Sequence, residues 1–244
     1  MGVPVGVKTW MAATAAAVGL LGANMAQAAT WLADNGLTGD DQLKASADIS
    51  LSGDVLTVVL TNTLADNQLR SQGAAISGVV ITFDDPLASL PTITGDSGTL
   101  VNFNNSAVAT PTGGTTLTHW GLVNVSGALR LTTLTGGQPS QLIINDSPSY
   151  SHTNPGFQNG QFNPFVKGPG TFTLDFGANQ VAEIASVVFQ FGTQPDASVA
   201  GSCTGDCLLH HTTLPTPEPA TWAMMLMGFF GAGALIRRRR LAAA

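Results

Sequence analysis

The only two cysteines, Cys203 and Cys207, stand four positions apart in a Gly-Ser-Cys-Thr-Gly-Asp-Cys segment, and His210 and His211 follow after two leucines. In an oxidising compartment the pair could close a short disulfide loop, with Gly205 allowing the tight turn. Four potential ligands in C-x3-C-x2-H-H also permit a metal site, although zinc sites use other spacings and adjacent histidines seldom converge on one ion. Unpaired thiols are the third reading. Acidic pairs at Asp40-Asp41 and Asp84-Asp85, with Asp96 after Gly95, could offer oxygen ligands to calcium, yet no D-x-D-x-D-G series with a distal Glu is present. Solvated turns explain them as well. His119, beside Trp120, and His152 are the only histidines of the central region, and neither G-x-S-x-G, H-E-x-x-H nor a glycine-rich phosphate loop occurs. With a single Glu and scattered Asp there is no opposed carboxylate pair of the glycosidase kind. The expectation is a protein that is not an enzyme, with no cofactor and no resident metal. Trp120, Tyr150, Phe157 and Phe162 could stack on sugar rings, or equally fill a core.

Charge narrows the partners. Between residues 29 and 212 only Lys44, Arg70, Arg130 and Lys167 are basic, against fourteen acids, so this body carries about −10. Phosphate backbones need clustered Lys and Arg, which excludes nucleic acid.

Both ends read as targeting sequence. Residues 1–28 carry a positive start at Lys8, an apolar run from Met11 to Met25, and Ala26-Gln27-Ala28, the small-residue pattern that signal peptidase of the secretion machinery reads. Cleavage is expected after Ala28. At the other end, residues 213–244 comprise a proline-rich spacer, an uncharged run from Ala220 to Ile236, and Arg237, Arg238, Arg239 and Arg240. As a helix, that run spans about 26 Å, enough for a thin bilayer. Trp222 would lie at the outer interface, with the arginines cytoplasmic, which leaves the body on the far side of the inner membrane.

Pro217, Glu218 and Pro219, then Trp222, an apolar Met- and Gly-containing run and the terminal arginine cluster resemble the PEP-CTERM sorting signal. Exosortases, membrane proteases of bacteria that make exopolysaccharide, read that signal. The resemblance implies processing near the Pro-Glu-Pro tripeptide, transient anchoring in the inner membrane, and transfer to the cell surface or extracellular matrix, with a role in biofilm or exopolysaccharide. A carbohydrate-binding module, lectin-like or calcium-dependent and using the 147–170 loop, is the alternative. More weakly, NPFVKGPGTFTLDF followed by SVVFQFGT resembles the C-terminal half of exosortase-dependent surface proteins, which implies a shared scaffold and no activity.

The elements that must position these residues are strands. Residues 45–63 alternate around Ser52-Gly53-Asp54 and predict a hairpin. Further runs cover Gly78–Phe83, Gly98–Phe103, Leu117–Val125, Ala128–Leu134 and Gln141–Asn145. The clearest alternation sets Phe172, Leu174 and Phe176, then Val187, Phe189 and Phe191, on one face of their strands, so these six are predicted to share a core. Turn clusters between the runs favour an all-β fold, a single β-sandwich or jelly-roll domain over 29–212. Ser147–Gly170, with four prolines, reads as a long loop, either a binding loop or a surface flap.

Overall fold

The computed structural model describes residues 27–177, 183–195, 197–205 and 207, and the fold is all-β. In chain order the strands are β1 (Gln27–Asp34), β2 (Lys44–Ser52), β3 (Val55–Asn62), β4 (Ile76–Phe83), β5 (Thr92–Asn102), β6 (Thr110–Pro111), β7 (Gly121–Val125), β8 (Ala128–Thr132), β9 (Ile143–Ile144), β10 (Phe165–Asp175), β11 (Ile184–Phe191), β12 (Ser198–Ala200) and β13 (Ser202–Thr204). A four-residue helix, α1 (Pro155–Gln158), sits between β9 and β10.

The predicted hairpin is β2–β3. Ser52 pairs with Val55 across the two-residue turn Gly53-Asp54, and Gly53 supplies φ of +60° at the first turn position, as a type II′ turn demands. Alternate residues of these strands, Ala45, Ala47, Ile49 and Leu51 with Leu56, Val58 and Leu60, are buried, while their neighbours face outward. One layer is β1, β2, β3, β10 and β5, with β6 at its edge; the other is β7, β8, β4 and β11. The six residues expected to share a core do so, and Phe83 of one layer meets Phe176 of the other edge to face at 6.0 Å.

Hydrogen bonds bridge the two layers at two seams, so the sandwich is one continuous sheet. Short β9 lies between β4 and β10 at one seam. At the other, β12 pairs with β11 and β13 with β1, so a single stretch of chain joins both edges. Gly201 makes that crossing possible: a Cβ there would lie 3.0 Å from the Phe189 ring and 3.1 Å from the Val187 carbonyl oxygen.

A second apolar cluster lies beyond the strand ends, and it corrects the reading of the long loop. Leu64, Leu69, Ala75, Phe103, Leu142, Ile144, Tyr150, Phe157, Phe162 and Phe165 pack together under residues 145–164. Phe103 is the hub, with Tyr150, Phe157 and Phe165 at 5.1, 5.0 and 5.5 Å between ring centroids. Side-chain amides stand in for strand neighbours here. Asn163 accepts from the Phe103 N–H at 2.9 Å and donates to its carbonyl at 2.7 Å, while Asn145 donates to the Leu64 and Ala65 carbonyls. Asn154 caps α1 by accepting from Phe157 N, with Pro155 at the first helical position where its missing N–H costs nothing. The segment is therefore a packed cap, and its last residues, from Phe165, already belong to β10. The run expected at Gln141–Asn145 shrinks to two paired residues.

Candidate functional site

The end of the body that delivers the tail is built by β13. Thr204, Cys203 and Ser202 pair with Thr30, Trp31 and Leu32, so the chain leaves the sheet beside the middle of β1. Just beyond, Gly205 turns with φ of +89°, and the Cys203 and Cys207 sulfurs are bonded, with their Cα atoms 5.8 Å apart. This pairing removes both thiolates from the metal reading of C-x3-C-x2-H-H. His210 and His211 lie outside the described residues, as do Pro217, Glu218, Pro219, Trp222, Arg237, Arg238, Arg239, Arg240 and the 220–236 run. Among the described residues no helix is long and apolar enough to cross a membrane. Residues 1–26 of the expected leader also lie outside, whereas Gln27 and Ala28 form the first two positions of β1, opposite Leu51 and Ser50.

The four aromatic candidates for sugar stacking are core residues, which overturns that reading of them. Tyr150 and Phe157 are 2% and 0% exposed, and Trp120 and Phe162 are 6% and 7% exposed. Trp120 packs on Phe172 at 4.8 Å and donates its indole N–H to the Gln141 carbonyl at 2.9 Å. The Tyr150 hydroxyl donates to the Asn145 carbonyl at 2.6 Å, and burial pushes its pKa well above the usual tyrosine range. A ring needs an open face to stack on a sugar, and these have spent theirs on neighbours.

Polar side chains gather instead on the outside of the cap. Asp40 and Asp41, from a one-turn 3₁₀ segment, Arg70, Ser71, His152 and Asn154 line a surface cleft of about 280 Å³. The Arg70 guanidinium is 3.6 Å from the Asp40 carboxylate. His119 is exposed elsewhere, in the approach to β7, so the two histidines do not form one site. Asp96 accepts the Leu117 N–H, Asp84 and Asp85 are exposed past β4, and among the described residues no three His, Cys, Asp or Glu side chains converge on a point suited to a metal ion. Lys44 pairs with Asp34 at 3.0 Å and Lys167 with Asp146 at 3.2 Å, both at this same end of the strands. The Gly36 N–H, and then Lys44, hold the Asp34 carboxyl below its ordinary range. Such exposed pairs are screened by solvent and contribute little to stability.

Arg70 was invisible to motif reasoning because Asp40 and His152 reach it from turns far away in sequence. Its one signal was being among four cations in an acidic body.

Residues 215–240 match the PEP-CTERM protein-sorting motif. No curated protein and no solved structure shows significant similarity to the chain. The tripeptide, apolar run and arginines fall inside the matched span, directly downstream of the disulfide that ends the described body. The chain carries a C-terminal PEP-CTERM protein-sorting motif, the signal of an exported protein addressed to exosortase for sorting to the cell surface.

Proposed function

We propose that the body is a non-catalytic component of the cell surface or extracellular matrix, held in the inner membrane by residues 220–236 until exosortase cuts near Pro217, Glu218 and Pro219, and then retained in the exopolysaccharide of a biofilm. The observation that carries this reading is the sorting motif attached to a closed, self-contained body. The way the body uses its side chains supports a structural role. Its rings fill two cores, and its amides Asn62, Asn145 and Asn163 pair with its own backbone. Signal peptidase would remove residues 1–28 first.

Proline holds the backbone of the tripeptide away from helix, which keeps it open to a protease. Replacing Pro217, Glu218 and Pro219 with alanine should leave the body exported and folded but attached to its membrane segment. The measurement is the mass and fractionation of parent and variant in a host with an exosortase and in one without. Normal processing of the variant, or processing of the parent without exosortase, would reduce the tail to a plain anchor.

One observation favours a second reading, carbohydrate binding. The Arg70 cleft offers carboxylate, guanidinium, imidazole and amide groups, all of which hydrogen-bond sugar hydroxyls. Saturable binding of the producer's exopolysaccharide, lost in Arg70→Ala and unaffected by calcium removal, would move the function there. Loss on calcium removal would restore the calcium-dependent form.

A further inference from the structure

The two outer faces of the sandwich carry opposite charge at their centres. Across the β1–β2–β3–β10–β5 layer, Thr30, Asp48, Val59, Thr171 and Ser97 stand opposite one another in a single row, and Asp48 points outward because its neighbours Ala47 and Ile49 are buried. Across the other layer, Val123, Arg130, Val80, Val188 and Ala200 form the corresponding row, with Arg130 outward between the buried Leu129 and Leu131. Each row holds one charge.

Neither charge is neutralised within the body. Lys44, Arg70 and Lys167 pair with Asp34, Asp40 and Asp146, whereas Arg130 has no ion pair among the described residues, and its Nε is buried without a hydrogen-bond partner. Asp48 is exposed, and the hydrogen bond it accepts comes from the neutral Thr30 hydroxyl at 2.6 Å. No Asp or Glu occurs in β4, β7, β8, β11 or β12. In a body of about −10, the Arg130 face is therefore where a second acidic surface can approach without meeting a carboxylate on the strands. Beside Asp48 lies a surface cleft of about 260 Å³, with Thr30, Ser50 and Val59 in its lining, which has room for a guanidinium. Ala28 also lines it and would go with the leader, which widens the cleft on that side.

We infer that copies of the body stack front to back, the Arg130 face of one on the Asp48 face of the next, with the guanidinium entering the cleft beside Asp48. Because the two faces differ, the contact is heterologous, and every copy added leaves an open face at each end of the stack. Growth does not stop at two. Stacked sheets lie about 10 Å apart, a gap that an arginine and an aspartate side chain close between them. Four strands about 4.8 Å apart, each of five to eight residues, make the Arg130 face about 20 Å square, or about 800 Å² over both copies, at the low end of specific interfaces. Stacking is accordingly weak and takes hold only where copies are concentrated. It uses neither the sorting motif nor exopolysaccharide.

Residues 29–212 hold every strand pair among the described residues except those of Gln27 and Ala28, so this body is the material for the test. Its average mass is followed by sedimentation equilibrium from about 1 µM, where copies part, to about 1 mM. The expected result is a mass that climbs past that of a dimer. Arg130→Glu and Asp48→Arg each set like charges face to face and should weaken association about tenfold or more. An equimolar mixture of the two should regain it, since the first keeps Asp48 for the second's Arg130 and the two reversed charges meet each other; the double variant should regain it alone. Arg130→Gln and Asp48→Asn should show a smaller loss, and they replace any reversal that lowers the melting temperature. A parent that stays monomeric, a mass that levels at a dimer, single variants that associate like the parent, or charge-swapped pairs that fail to regain association would each overturn the stack.

Discussion

Phe103→Ala tests whether the long segment before β10 is a packed cap. Phe103 is fully buried and touches three other rings edge to face, two of which, Tyr150 and Phe157, lie within the segment and the third, Phe165, at the start of β10. Emptying a buried phenylalanine site costs about 3–5 kcal/mol. For a domain of this size that loss lowers the melting temperature by about 6–20 °C. Residues 29–212 should express as a soluble β protein, and denaturant unfolding followed by the buried Trp31 and Trp120 reports the change. Phe103→Leu keeps most of the volume and should lose under about 1.5 kcal/mol. If Phe103→Ala costs less than about 1 kcal/mol, and residues 147–164 become no more sensitive to protease, the segment is a loose flap and the account of the second core is wrong.

In the main core, Phe189→Ala should also cost about 3–5 kcal/mol, because the ring is fully buried beneath the Gly201 crossing; a melt matching the parent's would place that face at the surface. Tyr150 is the single tyrosine, so its titration can be read directly from tyrosinate absorbance. Its folded pKa lies above the unfolded value of about 10, so the stability it contributes is complete below that pH and is lost as pH rises further. Tyrosinate should appear only together with unfolding; a reversible titration of the native protein near the ordinary value would show that the phenol is not buried.

Where apolar residues alternate over five or more positions, the strands were legible, as in β2–β3, β10 and β11. Strand β1 escaped because its inward set mixes Ala29 and Ala33 with Trp31, a weak contrast that follows an alanine-rich leader. β12 and β13 have three residues each, too few for any period to register. The cap failed for a different reason. Tyr150, Phe157 and Phe162 sit at irregular spacing among prolines and asparagines, and much of what they pack against, Phe103 with Leu64 and Leu69, lies far upstream. Local pattern treats such a stretch as a loop. The sorting motif was legible in full because a protease reads it as a linear segment and it needs no tertiary partner.

The same separation governs what a cut can do to the fold. Every strand pair among the described residues lies between Gln27 and Thr204, whereas the matched motif begins at residue 215. A break within the motif removes none of those pairs, so the triple-alanine variant and the processed parent should melt at the same temperature. The seam behaves oppositely. Gly201→Val would set a branched side chain against the Val187 carbonyl and the Phe189 ring, and backbone at 3.1 Å cannot rotate away as a side-chain tip can. Overpacking of this kind costs about 1–3 kcal/mol, and pushing the 198–204 stretch outward would uncover the edges of both β1 and β11, which invites pairing between copies. The expected outcome is a lower melting temperature with concentration-dependent aggregation, while the motif stays intact. A Gly201→Val body that melts with the parent and remains monomeric would mean that the crossing strand does not hold the two edges together.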